Sequence, residues 1–288
     1  MNLVVLGDGL LARSIKDVDP DAILLGHDQV EVTSYDSLAR ALEPHKPDVL
    51  INTVAYHNLA KCEDEPMMAR VINEIAAGRV ASLAPTVYIS TDFVFNDDGP
   101  HDESLPGERP RSVYGQTKLG GELATLEHGG IVVRVSALFG HHVSHKGPSL
   151  PDRVTTGFEP LKLPTDQRFS PTYAPDAAAR IVTLAQALHA GGGCFPVGHA
   201  DVNLPPPTGI YHAANRGSTT WYEFATHVAE VTRHKRVITG FVAHDRLRPT
   251  NSVLKSTRLP QLDHWAMRLN EWAIRREFIP TISPLRKS

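Results

Sequence analysis

Short apolar runs alternate with segments of helical periodicity from Asn2 to Val135, and this alternation leaves few folds open to the chain. Asn2 to Leu6 reads as a strand ending at Gly7, and Leu10, Leu11 and Ile15 follow at helical spacing. Ala22 to Leu25 reads as a second strand, Val30 to Val32 as a short third, Ser37 to Leu42 as a helix, and Val49 to Ile51 as a buried fourth strand. Val71, Ile72, Ile75 and Val80 mark another helix, and further strands fall at Val87 to Ile89 and Ile131 to Val135. Strands this apolar are covered on both faces, so the expected class is α/β, a Rossmann-type doubly wound parallel sheet.

After Gly140 the texture shifts to Pro, Gly and His with weaker periodicity. Residues 1–140 are therefore expected to form a dinucleotide-binding domain. Residues 141–288 would be mainly a smaller substrate-binding lobe, with a helix near 177–188 returning to the first domain. Gly191 to Pro207, rich in Gly and Pro, reads as a surface excursion.

Composition narrows the partners. At 288 residues, with 21% charged residues and a net charge of −3, the chain lacks the basic excess of a nucleic-acid binder or a polybasic membrane anchor. No apolar stretch approaches the roughly 18 residues of a membrane span. Cys62 and Cys194 are the two cysteines, and no basic, cleavable leader precedes the first strand, so a reducing cytoplasm is the expected location. The 15 histidines do not pair with Cys or Glu at metal-ligand spacing, so no metal is expected. A homodimer remains open.

Gly7-Asp8-Gly9-Leu10-Leu11-Ala12 matches the G-x-G-x-x-G/A turn that brings backbone close to a pyrophosphate at a helix N-terminus. A plain strand-to-helix connection is the alternative, and the position directly after the first strand favours the dinucleotide. The second strand ends at Gly26-His27-Asp28, where Asp28 suits a ribose diol and His27 a 2′-phosphate, so NADH and NADPH both stay open. Asn52 to Tyr56 ends the fourth strand in small or polar groups, as at a ligand-facing sheet edge.

Tyr114 and Lys118, four apart, share a helix face on which the lysine charge would pull the phenol pKa down. Such a pair is ordinarily a surface feature, but Ser90-Thr91-Asp92 ends a strand at the same edge and supplies a second hydroxyl. Two donors at one carbonyl oxygen suit hydride addition, because negative charge develops there. Ser90, Ser136 and the many histidines also allow a Ser-His-Asp hydrolase, though no G-x-S-x-G elbow supports one. Arg168 and Arg248 read either as a bidentate clamp on a diphosphate or as surface arginines. His141 and His142 read as pocket lining or as a solvated loop.

The whole pattern resembles the dTDP-4-dehydrorhamnose reductase family of the extended short-chain dehydrogenase/reductases. The likeness runs through Pro47-Asp48-Val49-Leu50-Ile51-Asn52, Glu63-Asp64-Glu65-Pro66, Ser90-Thr91-Asp92-Phe93-Val94-Phe95 and Ser112-Val113-Tyr114-Gly115-Gln116-Thr117-Lys118-Leu119. It continues in Arg134-Val135-Ser136, Ser170-Pro171-Thr172-Tyr173, Trp221-Tyr222-Glu223-Phe224-Ala225 and Arg248-Pro249-Thr250-Asn251-Ser252.

That resemblance implies reduction of the C4 ketone of a nucleotide-linked 4-keto-6-deoxyhexose by NADPH or NADH. Tyr114 would give the proton, Lys118 would hold the nicotinamide ribose and tune Tyr114, and Thr91 would orient the carbonyl. Cofactor contacts would come from Gly7, Gly9, Leu10, Leu11, His27, Glu31, Val32, Asn52, Ala55, Tyr56, Tyr114 and Lys118. Substrate contacts would come from Thr91, Asp92, Phe93, Tyr114, Ala137, Arg168 and Arg248. Phe93 stands where the related 4,6-dehydratases carry a catalytic Glu, which argues against dehydration. The glycine turn is one residue shorter than the family's usual form. Ala137 replaces a usual Trp beside the sugar, which points to a modified or branched deoxysugar of a secondary-metabolite pathway. Two other readings remain: a non-catalytic regulatory subunit of the same fold, and a nucleotide-sugar epimerase with a permanently bound cofactor.

Overall fold

In a computed structural model, described for residues 1–96, 98–143, 147–191, 195–197, 200–202, 208–243 and 247–278, the chain builds the expected α/β layers. The central sheet is parallel throughout. Its order is the strand Gly209–His212, then β5 (Ile131–Val135), β4 (Thr86–Thr91), β3 (Val49–Asn52), β1 (Leu3–Leu6) and β2 (Ile23–Leu25). β1, β3, β4 and β5 are buried at every position, which is what two covering layers of helix require.

In chain order the helices are α1 (Leu10–Val18), α2 (Tyr35–Leu42), α3 (Leu59–Asp64), α4 (Pro66–Arg70), α5 (Ala76–Leu83), α6 (Val113–Glu127), α7 (Leu150–Thr156), α8 (Ala174–His189), α9 (Trp221–Val231) and α10 (Trp265–Phe278). Side chains of α1 and α8 (Leu11, Ile15, Ala177, Ile181) pack on Val5, Ile51, Ile89 and Val133 from one side of the sheet. α2 and α5 cover Val4, Leu6 and Leu50 from the other. A π-helical turn, Val71–Ile75, joins α4 to α5.

Val30 to Val32 forms no strand. Val30 and Val32 are buried against Leu38 and Leu42, while Glu31 turns outward and its carboxylate accepts from Thr33 N and Oγ1. The apolar alternation there reflects a turn tucked under α2, not a ladder.

Beyond Gly140 the chain serves two bodies. α8 and the strand Gly209–His212 belong to the sheet, whereas α7, α9 and α10 enclose a second cluster around Phe139, Phe169, Tyr173, Phe224 and Trp272. Trp272 Nε1 donates to Gly140 O at 2.9 Å, fastening α10 to the segment that leaves the sheet. Within Gly191 to Pro207, Phe195–Val197 pairs with Ala200–Val202; most of the remaining stretch, including Cys194, lies outside the described residues.

α6 is held to the sheet by a fully buried ion pair. Arg134 of β5 donates from Nε and Nη2 to the two carboxylate oxygens of Glu122 at 2.8 and 2.6 Å, and both side chains are 0% exposed. Ser90 Oγ adds a bond to Glu122 at 2.5 Å, and Arg134 Nη1 donates to Ser104 O at 2.8 Å. Removing one member strands the other charge away from water, at a cost of about 3–5 kcal/mol. Arg134→Met should therefore lower unfolding stability by that order in urea melts, and adding Glu122→Leu should recover at least half of it.

Candidate active site

The C-terminal ends of the parallel strands gather the candidate residues along one edge, where an open α/β sheet binds ligands. At the end of β1, Gly7 takes φ 111°, and a Cβ there would stand 2.4 Å from Thr53 Oγ1, so only glycine fits. Gly9 caps α1 without a side-chain hydrogen bond, and nothing lies within 4 Å of where its Cβ would be. A ligand can approach Gly9 without meeting a neighbouring side chain, and the first-turn amides of α1 have no intrahelical acceptors, so the turn fits the pyrophosphate of a dinucleotide. Leu10 and Leu11 form that first turn.

The end of β3 is organised by Asn73, a fully buried residue of the π-helical turn. Its Oδ1 accepts from Tyr56 N at 2.8 Å. Its Nδ2 donates to Tyr56 O at 2.9 Å and to Thr117 Oγ1 at 3.0 Å. The loop carrying Ala55 and Tyr56 is thus tied to the helix bearing Tyr114 and Lys118. Asn52 is buried and accepts from Val54 N, while His27 and Glu31 are exposed beyond β2 and Val32 is buried in the core.

β4 ends at Thr91, and Asp92 follows in the interior. Asp92 Oδ2 accepts from Ser136 Oγ at 2.8 Å and Ser252 Oγ at 2.5 Å, while Oδ1 accepts from Thr91 Oγ1 at 3.2 Å. Burial pushes its pKa up against the opposing pull of these hydroxyls. One carboxylate thereby joins the ends of β4 and β5 to the C-terminal segment around Ser252. Ala137, just after Ser136, adopts φ 38°, an uncommon backbone region for alanine.

Tyr114 lies in the first turn of α6, which Ser112 caps by accepting from Gly115 N at 3.1 Å. Burial is the largest influence on its phenol and raises the pKa. A hydrogen bond with Thr91 pulls the other way, and the Asp92 charge adds to the rise. The rise is opposite to the lowering expected from Lys118. Lys118, 1% exposed, donates from Nζ to Ile89 O at 2.6 Å and lies 3.9 Å from the centre of the Tyr88 ring.

Phe93 meets Tyr114 edge to face at 5.6 Å. The Arg248 guanidinium stands 5.6 Å from the Phe93 ring and 5.9 Å from that of Trp221, which stacks on Phe169 at 4.1 Å. Arg248 is thus carried to the edge beside Tyr114. The Arg168 backbone pairs with Thr250 and Ser252, and its Nη2 donates to Ser218 Oγ at 3.3 Å. His141 and His142 engage Tyr173 Oη and Asp17 respectively, at 2.8 and 2.6 Å.

The positioning contacts of Ser136, Ser252, Tyr88 and Asn73 were not read from the sequence. Asn73 left one trace, an uncharged polar residue next to Glu74 among the apolar Val71, Ile72 and Ile75.

The family model for the RmlD substrate binding domain matches residues 3–277. A dTDP-4-dehydrorhamnose reductase of Streptomyces griseus is 30% identical, over 93% of this chain and 91% of its own length. A probable dTDP-4,6-dihydroxy-2-methyloxan-3-one 4-ketoreductase of Streptomyces antibioticus is 31% identical, over 91% of this chain and 89% of its own. Among solved structures, the dTDP-4-dehydrorhamnose reductase of Bacillus anthracis in complex with NADP superposes with a TM-score of 0.79 at 26% identity, covering 95% of this chain and 98% of that one. A match across nearly the whole length, on a fold that sets Thr91 at the end of β4 and Tyr114 and Lys118 on α6 beside it, places the chain in the dTDP-4-dehydrorhamnose reductase family.

Proposed function

We propose that the chain uses NADPH or NADH to reduce the C4 ketone of a nucleotide-linked, most simply dTDP-linked, 4-keto-6-deoxyhexose. The observation that carries this reading is that the Thr91 hydroxyl, at the end of β4, and the Tyr114 phenol, in the first turn of α6, come together at the edge of a sheet whose first turn is a glycine turn suited to a pyrophosphate. The bound nicotinamide supplies a hydride to the carbonyl carbon. Tyr114 supplies the proton to the carbonyl oxygen, and Thr91 holds that oxygen by a second hydrogen bond, where charge accumulates. Lys118 anchors the nicotinamide ribose. Arg248, held by Phe93 and Trp221, is assigned to the substrate diphosphate, with Arg168 as a second cation on the same segment.

The finer reading concerns the sugar. The two Streptomyces relatives carry names that differ in the sugar reduced. Ala137, which packs against the aromatic cluster of the second body, stands where the family resemblance puts a Trp beside the sugar, and the smaller side chain leaves room there for a substituent. We assign this chain a modified or branched 4-ketosugar. Measured with both coenzymes, loss of absorbance at saturating sugar should be faster for such a sugar than for dTDP-4-dehydrorhamnose. A large preference for plain dTDP-4-dehydrorhamnose would remove the assignment, and no oxidation with any ketosugar would favour the regulatory-subunit reading.

Tyr114→Phe should lower turnover by about 10²-fold or more while leaving coenzyme affinity nearly intact, as expected for loss of a general acid. The sign of the Tyr114 shift gives a pH test. A phenol whose pKa is raised keeps its proton to higher pH, so the profile of kcat/KM for reduction should stay level as pH rises toward the ordinary tyrosine value of 10.0 and fall only above it. A limb that falls near neutral pH and vanishes in Tyr114→Phe would mean that Lys118 dominates the phenol after all.

A further inference from the structure

Lysine at position 118 is buried on α6 against β4, and its ammonium rests on an aromatic face. We infer that Tyr88 is a positioning residue for Lys118: its ring is the platform that fixes the ammonium where the nicotinamide ribose is held. The inference rests on the proposed role of Lys118.

The geometry is specific. Tyr88 and Ser90 are two apart on β4 and both reach toward α6: Ser90 bonds Glu122, and the Tyr88 ring lies under Lys118 and against Gly121. The Lys118 Nζ stands 3.9 Å from the ring centre and donates to Ile89 O at 2.6 Å, so one side of the ammonium meets the negative face of the ring and another a carbonyl. An ammonium taken out of water needs such compensation, and a desolvated cation on an aromatic face gains the most from it. A tyrosine and a leucine would fill space here, but only the tyrosine offers the charge distribution.

The ring is itself locked. Tyr88 is 0% exposed, and its hydroxyl donates to Asn73 O in the π-helical turn at 2.8 Å. A Cβ on Gly121 would lie 2.4 Å from that hydroxyl and 2.2 Å from Asn73 O, so a glycine on α6 is what lets the ring sit beneath the lysine. Asn73 in turn holds the Tyr56 loop and Thr117. Tyr88 therefore links the lysine to the loop at the end of β3, on the same cofactor edge.

The test is coenzyme binding by the full-length protein, followed by NADPH and NADH fluorescence. The variants are Tyr88→Phe, Tyr88→Leu, pentafluorophenylalanine installed at position 88, and Lys118→Met, each checked for a cooperative thermal melt. Phenylalanine keeps the ring and its negative face, so Tyr88→Phe should bind within about threefold of wild type, although the loss of the Asn73 bond lowers its melting temperature. Fluorination keeps the shape and cancels the negative face, and it should weaken binding by about tenfold or more, as should leucine. The fluorinated ring keeps the question answerable if the leucine variant does not fold.

Equal affinities for the phenylalanine and fluorinated proteins would overturn the inference, whether both are normal or both are weak. A weakened Lys118→Met beside unaffected Tyr88 variants would overturn the role of Tyr88 and leave that of Lys118 standing. An unaffected Lys118→Met would overturn the assignment of Lys118 itself, and the inference with it.

Discussion

The Glu122–Arg134 pair sets where α6 lies on the sheet, and the candidate chemistry depends on that placement. A helix pressed on a sheet by apolar contacts alone can slide by a fraction of a turn at little cost, because dispersion is non-directional. A bidentate guanidinium–carboxylate contact cannot, since both hydrogen bonds fail together. Glu122 lies one helical turn beyond Lys118 and two beyond Tyr114, on the side of α6 that meets β4. Fixing Glu122 at Ser90 and Arg134 therefore fixes the height of Lys118 over Tyr88 and of Tyr114 beside Thr91. Such a pair contributes little net stability once desolvation is counted; its value here is positional.

A second polar knot does for the two bodies what the first does for α6. Asp92 takes hydroxyls from Thr91, Ser136 and Ser252, so the end of β4, the end of β5 and the C-terminal segment share one acceptor. The same segment is laced to the rest by backbone: Ser252 N donates to Arg168 O, Arg168 N to Thr250 O, and His101 N to Val253 O. Arg248 leaves that segment toward Phe93. A substrate gripped by Arg248 and reacting at Tyr114 would thus be held by parts of the chain that are hydrogen-bonded together before it arrives, which is the preorganisation that carbonyl polarisation needs.

Much of this frame was legible in the amino-acid order. Buried parallel strands announce themselves as continuous apolar runs, and β1, β3, β4 and β5 fall where those runs do. Val30 to Val32 misled because a turn packed under a helix buries alternate residues as a strand does, and periodicity cannot tell which groups satisfy the backbone. The strand Gly209–His212 was not read, since its partner β5 lies over seventy residues away and nothing local marks it as an edge strand of the sheet. At the site, Thr91, Tyr114 and Lys118 stood out by spacing and context, while Tyr88 read as an ordinary strand residue. Its contact with Lys118 exists only because α6 crosses β4 at that height, and Gly121, not the tyrosine, is the local permission for it.

The charge balance at Tyr114 bears on the direction of the proposed chemistry. Burial and the nearby Asp92 both disfavour the phenolate, and the Thr91 hydrogen bond offsets them only in part. For reduction this is no handicap, because the acceptor is an alkoxide forming as hydride arrives, a stronger base than any phenolate, so the proton moves downhill even from a reluctant donor. Oxidation, which an epimerase performs in its first half-reaction, asks the reverse: a phenolate must stand ready as the base before hydride leaves. A phenol held above its ordinary pKa is an acid at neutral pH, and that is the form which reduction of a ketone consumes.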